Sequence, residues 1–522
     1  MGEVGREVAT QEAPLYPASV WALVEQACDR FPDHVVLADD HGRSLTACQL
    51  HDASESLAAT LADRGIAPGS VVSWQLPTTL ETMVVSLALT RLGARQNPII
   101  PLLREREVGL IVAEVQPQLV LVPEEWRGFA HGALARDLAG THGFEVMVVD
   151  HDTDPSTTGG RLRLPLGDPS TLAPPPHADP DEVRWIYHSS GTTSAPKGIQ
   201  HRDRSVMAGA TGSIVCGRMT AHDVVPAAYP IAHIGGLAML TSSLVTGARS
   251  VLFDTFDMAT VARIAAIRPT LLGTAVPFFQ AFMAAQRAHG PDPLFPDLRA
   301  LFGGGAPVPA DVHRATREVF GVPGVANSWG LTEFPVATFP TPDDPPEVLE
   351  RTVGRPVPGV EVRAVDGELR VRGPQCFVGY VDERLDADAF DEDGWFRTGD
   401  LGFVDDGGYV HLTGRLKDII IRNAENISAL EVEDALTGHP RVLDAAVFGV
   451  ADPDVGERVA AAVVSVDGDP ISLAEIDQHC RSLGLARQKT PERLLQCEVL
   501  PRNGMGKVLK QELRAQVAAS GG

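Results

Sequence analysis

The stretch YHSSGTTSAPKGIQH, residues 187–201, concentrates small hydroxyl side chains, glycines and one lysine in a short span. Gly191 allows the backbone to bend so that successive amide N–H groups converge on an anion, and Lys197 adds a positive charge. The spacing is not that of a Walker A loop, because Gly198 follows the lysine where Ser or Thr would be needed. The stretch predicts a phosphate-binding loop, with a surface loop of small polar residues as the structural alternative. Its hydroxyl donors are Ser189, Ser190, Thr192, Thr193 and Ser194.

Lysine is rare in this chain. Only five of the 44 basic residues are lysines, at positions 197, 417, 489, 507 and 510. A compact ammonium differs from a guanidinium where a point charge has to approach a phosphate or a reacting oxygen. Lysines inside glycine-rich motifs are therefore interpreted as functional, whereas Lys510 is interpreted as a surface lysine without a role.

Four further stretches carry reactive or ligand-binding residue types. NSWGLTE (327–333) combines an aromatic ring, hydroxyls and an acid, and GWFRTGDLG (394–402) sets an aspartate in a tight turn. GRLKDIIIRNAENISALEVE (414–433) and PRNGMGKVLK (501–510) complete the set. In order and spacing, these four and the 187–201 stretch resemble the adenylate-forming (AMP-binding) superfamily, in its acyl-CoA synthetase branch. The resemblance extends from about residue 20 to 515.

The resemblance implies a two-step reaction that uses ATP, Mg²⁺ and CoA. A carboxylate attacks the α-phosphate of ATP, which gives an acyl-adenylate and pyrophosphate, and the thiol of CoA then displaces AMP. The first competing function is that of a ligase that loads a carrier-protein phosphopantetheine or stops at the adenylate. A luciferase-like oxygenase would share the same fold. A non-catalytic binding protein is disfavoured, because the implied catalytic residues are present.

The resemblance also assigns residues of this chain to the nucleotide. The loop 189–198 would hold the β- and γ-phosphates, Thr332 would contact the α-phosphate, and Glu333 together with Thr192 would ligate Mg²⁺. Trp329 would stack on adenine, and a core tryptophan beside a turn is the alternative. The other implied nucleotide-binding residues are Ser189, Ser190, Gly191, Thr193, Lys197, Gly304, Gly305, Ala306, Asn327, Ser328 and Gly330.

The remaining implied roles concern ribose, charge stabilisation and domain movement. Asp400 would accept hydrogen bonds from both ribose hydroxyls, and Arg415 would contact ribose and phosphate. Lys507 resembles the lysine that stabilises the charge that develops during adenylation. Lys417 falls at the hinge, where a few torsions would swing Lys507 out and bring the thiol in. His233, in YPIAHIGG, would line the acyl side of the site as a wall residue and not a general base; the alternative is a core histidine.

The chain departs from the family pattern at two places. Ser194 stands where the phosphate loop usually has Gly, and its hydroxyl still provides a hydrogen-bond donor. Asn423 and Ala424 replace a common glycine pair, and Ala429 replaces a common proline. In CoA ligases that stretch reaches over the pantetheine, so side chains there would narrow the thiol path. The sequence therefore supports adenylation more strongly than thioester formation.

The elements that must position these residues follow from the hydrophobic pattern. From about residue 20 to 150, apolar runs such as SVVSWQLP alternate with helix-period stretches such as TLETMVVSLALTRLGA, which predicts a parallel α/β sheet. A second α/β series follows over 250–320. The predicted fold is α/β, with a large N-terminal part (1–415) and a small mobile α+β domain (416–522). The large part comprises two α/β lobes, about 20–350, and a small β-barrel, about 351–415.

Composition limits the partners and the compartment. The net charge of −24 argues against nucleic acid and anionic lipid as partners. We expect no secretory leader and no spanning helix, since no apolar run of about 18 residues occurs. The six scattered cysteines contain no CxxC pair, which argues against a disulfide framework or a zinc cluster and favours the cytoplasm. The sequence leaves a homodimer open.

The acyl substrate is predicted by class. YPIAHIGG offers no acid to pair with an α-amine, which disfavours an amino acid. VPFFQAFMAAQ (276–286) and HIGGLAML (233–240) are expected to line an apolar pocket. Residues 95–117 weakly resemble ligases that act on cyclohexanecarboxylate and related ring acids. The expected substrate is a medium-chain, alicyclic or steroid-derived acid.

Overall fold

The structure is a computed structural model that describes residues 16–151, 160–189, 196–423, 425–452, 455–502 and 507–520. Its α-helices are α1 (Val20–Arg30), α2 (Ala47–Asp63), α3 (Leu80–Arg91), α4 (Glu105–Val115), α5 (His131–His142), α6 (Asp203–Ala208), α7 (Ile234–Thr246), α8 (Met258–Ala266), α9 (Val276–His289), α10 (Ala310–Phe320), α11 (Pro346–Arg351), α12 (Asp386–Ala389), α13 (Ala429–Thr437), α14 (Leu473–Ser482) and α15 (Lys510–Ser520). None of the helices described is long and apolar enough to cross a membrane.

The strands alternate with these helices in the first half of the chain and cluster in the second half. They are β1 (Val35–Asp39), β2 (Ser44–Thr46), β3 (Val71–Trp74), β4 (Arg95–Pro98), β5 (Leu119–Val122), β6 (Glu145–Val148), β7 (Val183–Ser189), β8 (Lys197–Arg202), β9 (Val224–Ala227), β10 (Arg249–Leu252), β11 (Leu271–Thr274), β12 (Ala300–Gly303), β13 (Val325–Asn327), β14 (Thr338–Phe339), β15 (Arg355–Pro356), β16 (Glu361–Val365), β17 (Glu368–Arg372), β18 (Gly379–Tyr380), β19 (Phe396–Val404), β20 (Val410–Arg415), β21 (Ile419–Arg422), β22 (Glu425–Ser428), β23 (Val442–Asp452), β24 (Gly456–Ser465) and β25 (Arg493–Gln496).

A seven-stranded sheet, in the order β18-β8-β7-β4-β3-β5-β6, carries the predicted phosphate loop. Strands β3 to β7 pair in parallel, which confirms the predicted parallel α/β sheet. Strand β8 returns antiparallel to β7, and β18 adds antiparallel to β8. Strand β18 comes from the segment predicted as a barrel, so a piece of that segment forms the sheet edge beside the loop.

Two further sheets complete the α/β part: β2-β1-β10-β9 and the parallel β11-β12-β13. Helix α3 packs against both β1 and β4 and so lies between two sheets. Every residue from Leu80 to Leu89 is buried, as expected of a helix that is covered on all sides.

The segment after residue 351 forms a four-stranded antiparallel sheet, β16-β17-β19-β20. Its inward positions include Val362, Leu369, Val371 and Val410, which are fully buried. The alternation of buried and exposed residues along β17 is the two-residue period that the sequence shows. The predicted domain boundary near 415 falls at the end of β20 and stays a prediction.

The last hundred residues form their own sheet, β22-β21-β24-β23, to which β25 adds in parallel beside β24. Helices α13 and α14 enclose one hydrophobic cluster of this region, and α15 contributes to a second on the other side of β23 and β24. This arrangement agrees with the predicted small α+β unit.

One expectation about the cysteines is wrong. Cys28 in α1 and Cys48 in α2 form a disulfide bond, although no pairing motif marks them in the sequence. The β1–β2 hairpin returns the chain so that α2 packs on α1, and Trp21 stacks on His51 at 5.0 Å. The other four cysteines are free.

Candidate active site

The hairpin β7–β8 positions the predicted phosphate loop. Ser189 at the end of β7 lies opposite Lys197 at the start of β8, so both lie at one end of the hairpin. The predicted loop residues Ser190, Gly191, Thr192 and Thr193, and the departure at Ser194, lie outside the described residues. The structure therefore shows the two residues that flank the loop, Ser189 and Lys197.

Lys197 and Glu333 meet through Tyr380, which the sequence analysis missed. The Lys197 ammonium lies 5.3 Å from the centre of the Tyr380 ring. The Tyr380 hydroxyl donates a hydrogen bond of 3.0 Å to Oε1 of Glu333. Burial, and then the charge of Glu333, raise the pKa of Tyr380, so the hydroxyl remains a donor. A cation and a carboxylate are thus held on either side of one aromatic side chain.

The predicted nucleotide-binding residues Gly304, Gly305 and Ala306 follow Gly303, and we call residues 303–306 the glycine strip. The strip begins at the end of β12, where Gly303 lies opposite Asn327 of β13. A Cβ at Gly304 would lie 2.8 Å from Oγ of Ser328, and one at Gly330 would lie 2.4 Å from a backbone nitrogen. Asn327 donates a hydrogen bond to the carbonyl of Ala306 at 3.3 Å, but its buried Oδ1 has no hydrogen-bond partner among the residues that the structure describes. Buried acceptors are normally paired, so this oxygen fits a ligand N–H group.

Asp400 is held by two predicted neighbours. The Trp329 indole donates from Nε1 to Oδ2 of Asp400 at 2.8 Å. Arg415 lies opposite Asp400 in the β19–β20 pairing, and its Nε is 2.5 Å from Oδ1. Trp329 is 5% exposed and packs in a hydrophobic cluster with Phe334. This packing agrees with the alternative interpretation of Trp329 as a core tryptophan beside a turn. Stacking on adenine stays a prediction.

Lys507 and Lys417 lie within electrostatic range of the same group of charges. Burial, followed by the charges of Arg415 and Lys417, lowers the pKa of Lys507 to about 8. Burial and Arg415 also lower the pKa of Lys417, while Asp418, Asp400 and then Glu333 act in the opposite direction. Charged residues of the last four motifs therefore act on one another in this conformation.

Thr332 and His233 line a small cavity of about 10 Å³. The His233 side chain caps α7, since Nδ1 accepts a hydrogen bond from the Gly235 amide at 3.2 Å. Burial lowers the pKa of His233 to about 4, so the imidazole is neutral, which fits a wall residue. Aliphatic residues of the 95–117 segment form another wall: Pro98, Ile99, Ile100, Leu103 and Ile111.

The sequence analysis missed two histidines near these residues: His201, which contacts Thr332, and His188, which lines the same cavity. His201 donates from Nε2 to the Thr332 carbonyl at 2.8 Å, and burial lowers its pKa to about 4. His188, which precedes the phosphate loop, contacts Glu114 through Nε2 at 2.8 Å and Asn97 through Nδ1 at 3.1 Å. In the sequence, the only sign that His188 belongs to the site is its position next to the phosphate loop.

Two expectations about the pocket and the surface are corrected. Phe279 and Phe282 of α9 are buried in a hydrophobic cluster with residues of α8 and β12, because they lie on the inward face of the helix. Lys510 is not a free surface lysine: its Nζ lies 2.8 Å from Oε1 of Glu433, and both side chains are less than one-fifth exposed.

Among the departures from the family pattern near the hinge, the one at Asn423 is explained by its backbone conformation. Asn423 has a φ of +50°, in the left-handed region that glycine adopts most readily and asparagine tolerates. Ala424 lies outside the described residues. Ala429 begins α13, after Ser428, whose side chain caps the helix.

Comparison with known proteins gives consistent results over most of the chain. The AMP-binding enzyme family matches residues 24–381, and the AMP-binding enzyme C-terminal domain matches residues 431–507. A medium-chain fatty-acid–CoA ligase of Escherichia coli is 32% identical, over 96% of this chain and 90% of the relative. A salicyl-AMP ligase / salicyl-S-ArCP synthetase of Mycobacterium tuberculosis is 33% identical, over 96% and 91%.

A third relative acts on a ring acid: the 3-[(3aS,4S,7aS)-7a-methyl-1,5-dioxo-octahydro-1H-inden-4-yl]propanoyl:CoA ligase of Rhodococcus jostii is 32% identical, over 96% of this chain and 99% of the relative. Among solved structures, ATP-bound MatB from Rhodopseudomonas palustris superposes with a TM-score of 0.83 at 27% identity, covering 95% of this chain and 98% of the other. The chain therefore belongs to the AMP-binding enzyme family, as the order of its five motifs predicts.

Proposed function

We propose that this protein is an ATP-dependent acyl-CoA synthetase that activates a non-amino carboxylic acid as its acyl-adenylate and transfers the acyl group to CoA. The observation that supports this most directly is the arrangement of charges around Asp400, where Arg415, Lys417 and Lys507 lie within electrostatic range of one another. A polyanionic substrate would compensate Lys417 and Lys507, whose charged forms burial disfavours.

In the first step, a carboxylate oxygen of the acid attacks the α-phosphorus of ATP. The bond between that phosphorus and the bridging oxygen breaks, and pyrophosphate leaves with the electron pair. Lys197 and the hairpin that carries it would hold the leaving phosphates, which favours in-line displacement. Lys507 would stabilise the charge on the reacting oxygens.

The nucleoside would lie between the glycine strip and Asp400. Close approach of the backbone is possible at Gly304 and Gly305 because no side chain intervenes. Oδ1 of Asn327 would accept from the adenine amino group, and Asp400 would accept from the ribose hydroxyls. The indole and guanidinium that hold Asp400 keep this carboxylate oriented before the nucleotide binds.

Mg²⁺ fits the site through Glu333, a hard oxygen ligand that Tyr380 orients. Phosphate oxygens would complete the coordination, since Mg²⁺ prefers oxygen ligands. Within the described part of the chain, no group of three or more His, Cys, Asp or Glu residues could hold a metal ion. When bound, the ion would neutralise charge on the phosphates. Thr192, the second proposed ligand, rests on the resemblance alone.

In the second step, the thiol sulfur attacks the acyl carbon and AMP leaves. Lys417 lies in a single turn, Leu416–Asp418, between β20 and β21, which suits the proposed hinge. A carrier-protein thiol is the alternative acceptor. It is supported by the salicyl-S-ArCP relative and by Asn423, whose side chain replaces a glycine near the proposed thiol path.

A medium-chain, alicyclic or steroid-derived acid is the proposed substrate. The medium-chain and ring-acid relatives support this class. The aliphatic wall that the 95–117 segment gives to the cavity beside His233 agrees with it, since that segment resembles ring-acid ligases. ATP and CoA complete the set of small-molecule partners, and a homodimer and a cytoplasmic location remain part of the proposal.

Mass spectrometry of reaction mixtures tests this function. The protein is incubated with ATP, Mg²⁺ and acetate, octanoate, palmitate, salicylate, cyclohexanecarboxylate or a steroid-derived acid such as cholate, with and without CoA. We expect acyl-adenylate from octanoate or cyclohexanecarboxylate without CoA, and acyl-CoA when CoA is added. Adenylate that persists with CoA would favour a carrier protein as acceptor. Absence of adenylate from every acid would contradict the proposal.

A further inference from the structure

We propose that Lys510 and Glu433 are positioning residues for Lys507, so that their ion pair controls adenylation and not thioester formation. This inference rests on the proposed function, in which Lys507 acts only in the first step. The two groups lie on different elements of the C-terminal region: Lys510 begins α15, and Glu433 lies in the middle of α13.

The ion pair is enclosed by protein. Nζ of Lys510 lies 2.8 Å from Oε1 of Glu433, and the side chains are 17% and 19% exposed. The same Oε1 accepts a hydrogen bond of 2.8 Å from the Val447 amide in β23. Glu433 therefore joins three elements, α13, β23 and α15, and Lys510 is the cation that neutralises it.

Lys507 lies between two anchored points of the chain. On its C-terminal side, Lys510 follows three residues later. On its N-terminal side, Arg502 forms an isolated antiparallel bridge with Val508 and places Nη2 2.6 Å from Oδ2 of Asp444. The Leu509 amide also donates to the Pro501 carbonyl at 2.8 Å. Arg502 and Lys510, on either side of Lys507, are thus attached to β23 and to α13.

The electrostatics connect the ion pair to the active site. Asp418, next to the proposed hinge, acts on both Lys507 and Glu433. If Lys510 lost its charge, Glu433 would stay buried near Asp418 without its compensating cation, and the start of α15 would lose its attachment to α13. Displacement of a reacting group by about 1 Å costs on the order of 100-fold in rate.

The chain contains a matched control for this pair. Lys489 lies 2.7 Å from both carboxylate oxygens of Glu431, which is two residues before Glu433 in α13. This second lysine–glutamate pair is more exposed, at 30% and 45%. The charges that act most strongly on Lys507 include neither Lys489 nor Glu431. Loss of this pair should leave both half-reactions unchanged.

The test measures the two half-reactions separately on the full chain. Adenylation is followed by ATP–pyrophosphate exchange with the acid that the wild type activates fastest, and acyl transfer is followed from supplied acyl-adenylate to CoA. The variants are Lys510→Gln, Glu433→Gln, Lys510→Arg, Lys489→Gln and Lys507→Ala. We expect Lys510→Gln and Glu433→Gln to lower exchange by tenfold or more, on the order of the loss for a misplaced group, with acyl transfer unchanged.

Lys510→Arg keeps the cation and should restore most of the exchange activity, and Lys489→Gln should match the wild type. Equal loss of both half-reactions in Lys510→Gln would indicate a purely structural pair and overturn the inference, as would unchanged exchange. Lys507→Ala separates the two proposals. If this variant keeps exchange, the proposed role of Lys507 is wrong. If it loses exchange while Lys510→Gln keeps it, only the positioning role is wrong.

Discussion

Nε1 of Trp329 lies 2.8 Å from Oδ2 of Asp400, so the residue predicted to stack on adenine is bonded to the residue predicted to bind ribose. Both side chains are buried, and Arg415 occupies the other carboxylate oxygen. A phenylalanine ring would still offer an aromatic face for stacking, although a smaller one, and would lack this donor. The indole therefore couples the base-binding and ribose-binding parts of the proposed site.

The first prediction concerns this bond. Trp329→Phe should keep an aromatic face but leave Asp400 less well oriented, because a hydrogen bond to a charged group contributes about 1.5–3 kcal/mol. We expect kcat/KM for ATP to fall by about tenfold or more, and the preference for ATP over 2′-deoxyATP to shrink. Steady-state kinetics with both nucleotides measure this.

Trp185→Phe is the matched control for Trp329→Phe. Trp185 donates from Nε1 to Oδ1 of Asp203 at 2.7 Å, in a buried pair outside the proposed site. Its loss should lower stability without changing the ratio between the two nucleotides. A ratio that is equal in the wild type and in Trp329→Phe would show that the indole N–H plays no part in ribose recognition.

The second prediction concerns Tyr380 and Mg²⁺. Tyr380→Phe removes the hydroxyl that holds Oε1 of Glu333 at 3.0 Å but keeps the ring beside Lys197. A less oriented Glu333 should bind the metal more weakly, so the Mg²⁺ concentration for half-maximal pyrophosphate exchange should rise by about tenfold. Binding of ATP without Mg²⁺, measured by calorimetry, should stay unchanged.

Tyr409→Phe provides the control for this variant. The Tyr409 hydroxyl donates to Oδ1 of Asp344 at 3.3 Å, away from Lys197 and Glu333. It should leave the Mg²⁺ dependence as in the wild type. If Tyr380→Phe also has the wild-type Mg²⁺ dependence, the contact with Glu333 does not serve metal binding.

Part of this site follows from the sequence and part does not. The β7–β8 hairpin, the glycine strip and Asp400 are marked by local motifs, because tight turns and close backbone approach require particular residues at fixed spacing. Tyr380 carries no such mark, since it reaches Glu333 only through the pairing of β18 with β8. Such pairing joins segments about 180 residues apart, which local periodicity does not encode.

The same limit explains the corrected expectations. Helical periodicity identifies the apolar face of α9 but not whether that face meets a cavity or the core, and Phe279 and Phe282 meet the core. Lys510 and Glu433 are 77 positions apart, so their pairing is a tertiary feature. Cys28 and Cys48 meet because two helices pack, not because of their spacing.

The third prediction concerns pH. Burial and neighbouring cations lower the pKa of Lys507 to about 8, well below the usual lysine value of about 10.4. The ammonium is the form that would stabilise negative charge, so it is fully present at low pH and lost as pH rises through the folded pKa. In adenylation, kcat/KM for ATP, which reports the free enzyme, should therefore decline above a pH of about 8.

Lys507→Arg tests the assignment of this decline. A guanidinium stays charged up to a pH of about 12, so the variant should show lower activity but no decline in this range. Acyl transfer from supplied adenylate should lack the same inflection, since Lys507 is proposed to act in the first step. A wild-type profile that stays flat up to a pH of about 10 would contradict the lowered pKa of Lys507, because a lysine with the usual pKa is still charged there.

The fourth prediction concerns Lys417 and the hinge. The residue lies in the turn Leu416–Asp418, and its charge also faces Asp400 and Glu333, so a substitution changes both backbone freedom and electrostatics. Lys417→Pro fixes φ near about −65° and restricts the preceding residue. We expect it to retain most pyrophosphate exchange and to lose acyl transfer, because the swing that removes Lys507 would be blocked.

Lys417→Ala separates the two effects, since it removes the charge and leaves the backbone free. It should retain as much pyrophosphate exchange as Lys417→Pro does, and acyl transfer from supplied adenylate should continue. Acyl transfer is measured for both variants as single-turnover formation of acyl-CoA. Because both variants lack the charge, a difference between their rates reports backbone restriction alone. Equal acyl transfer in the two would mean that domain movement does not depend on the torsions of Lys417, and the pivot would have to lie elsewhere between β20 and β21.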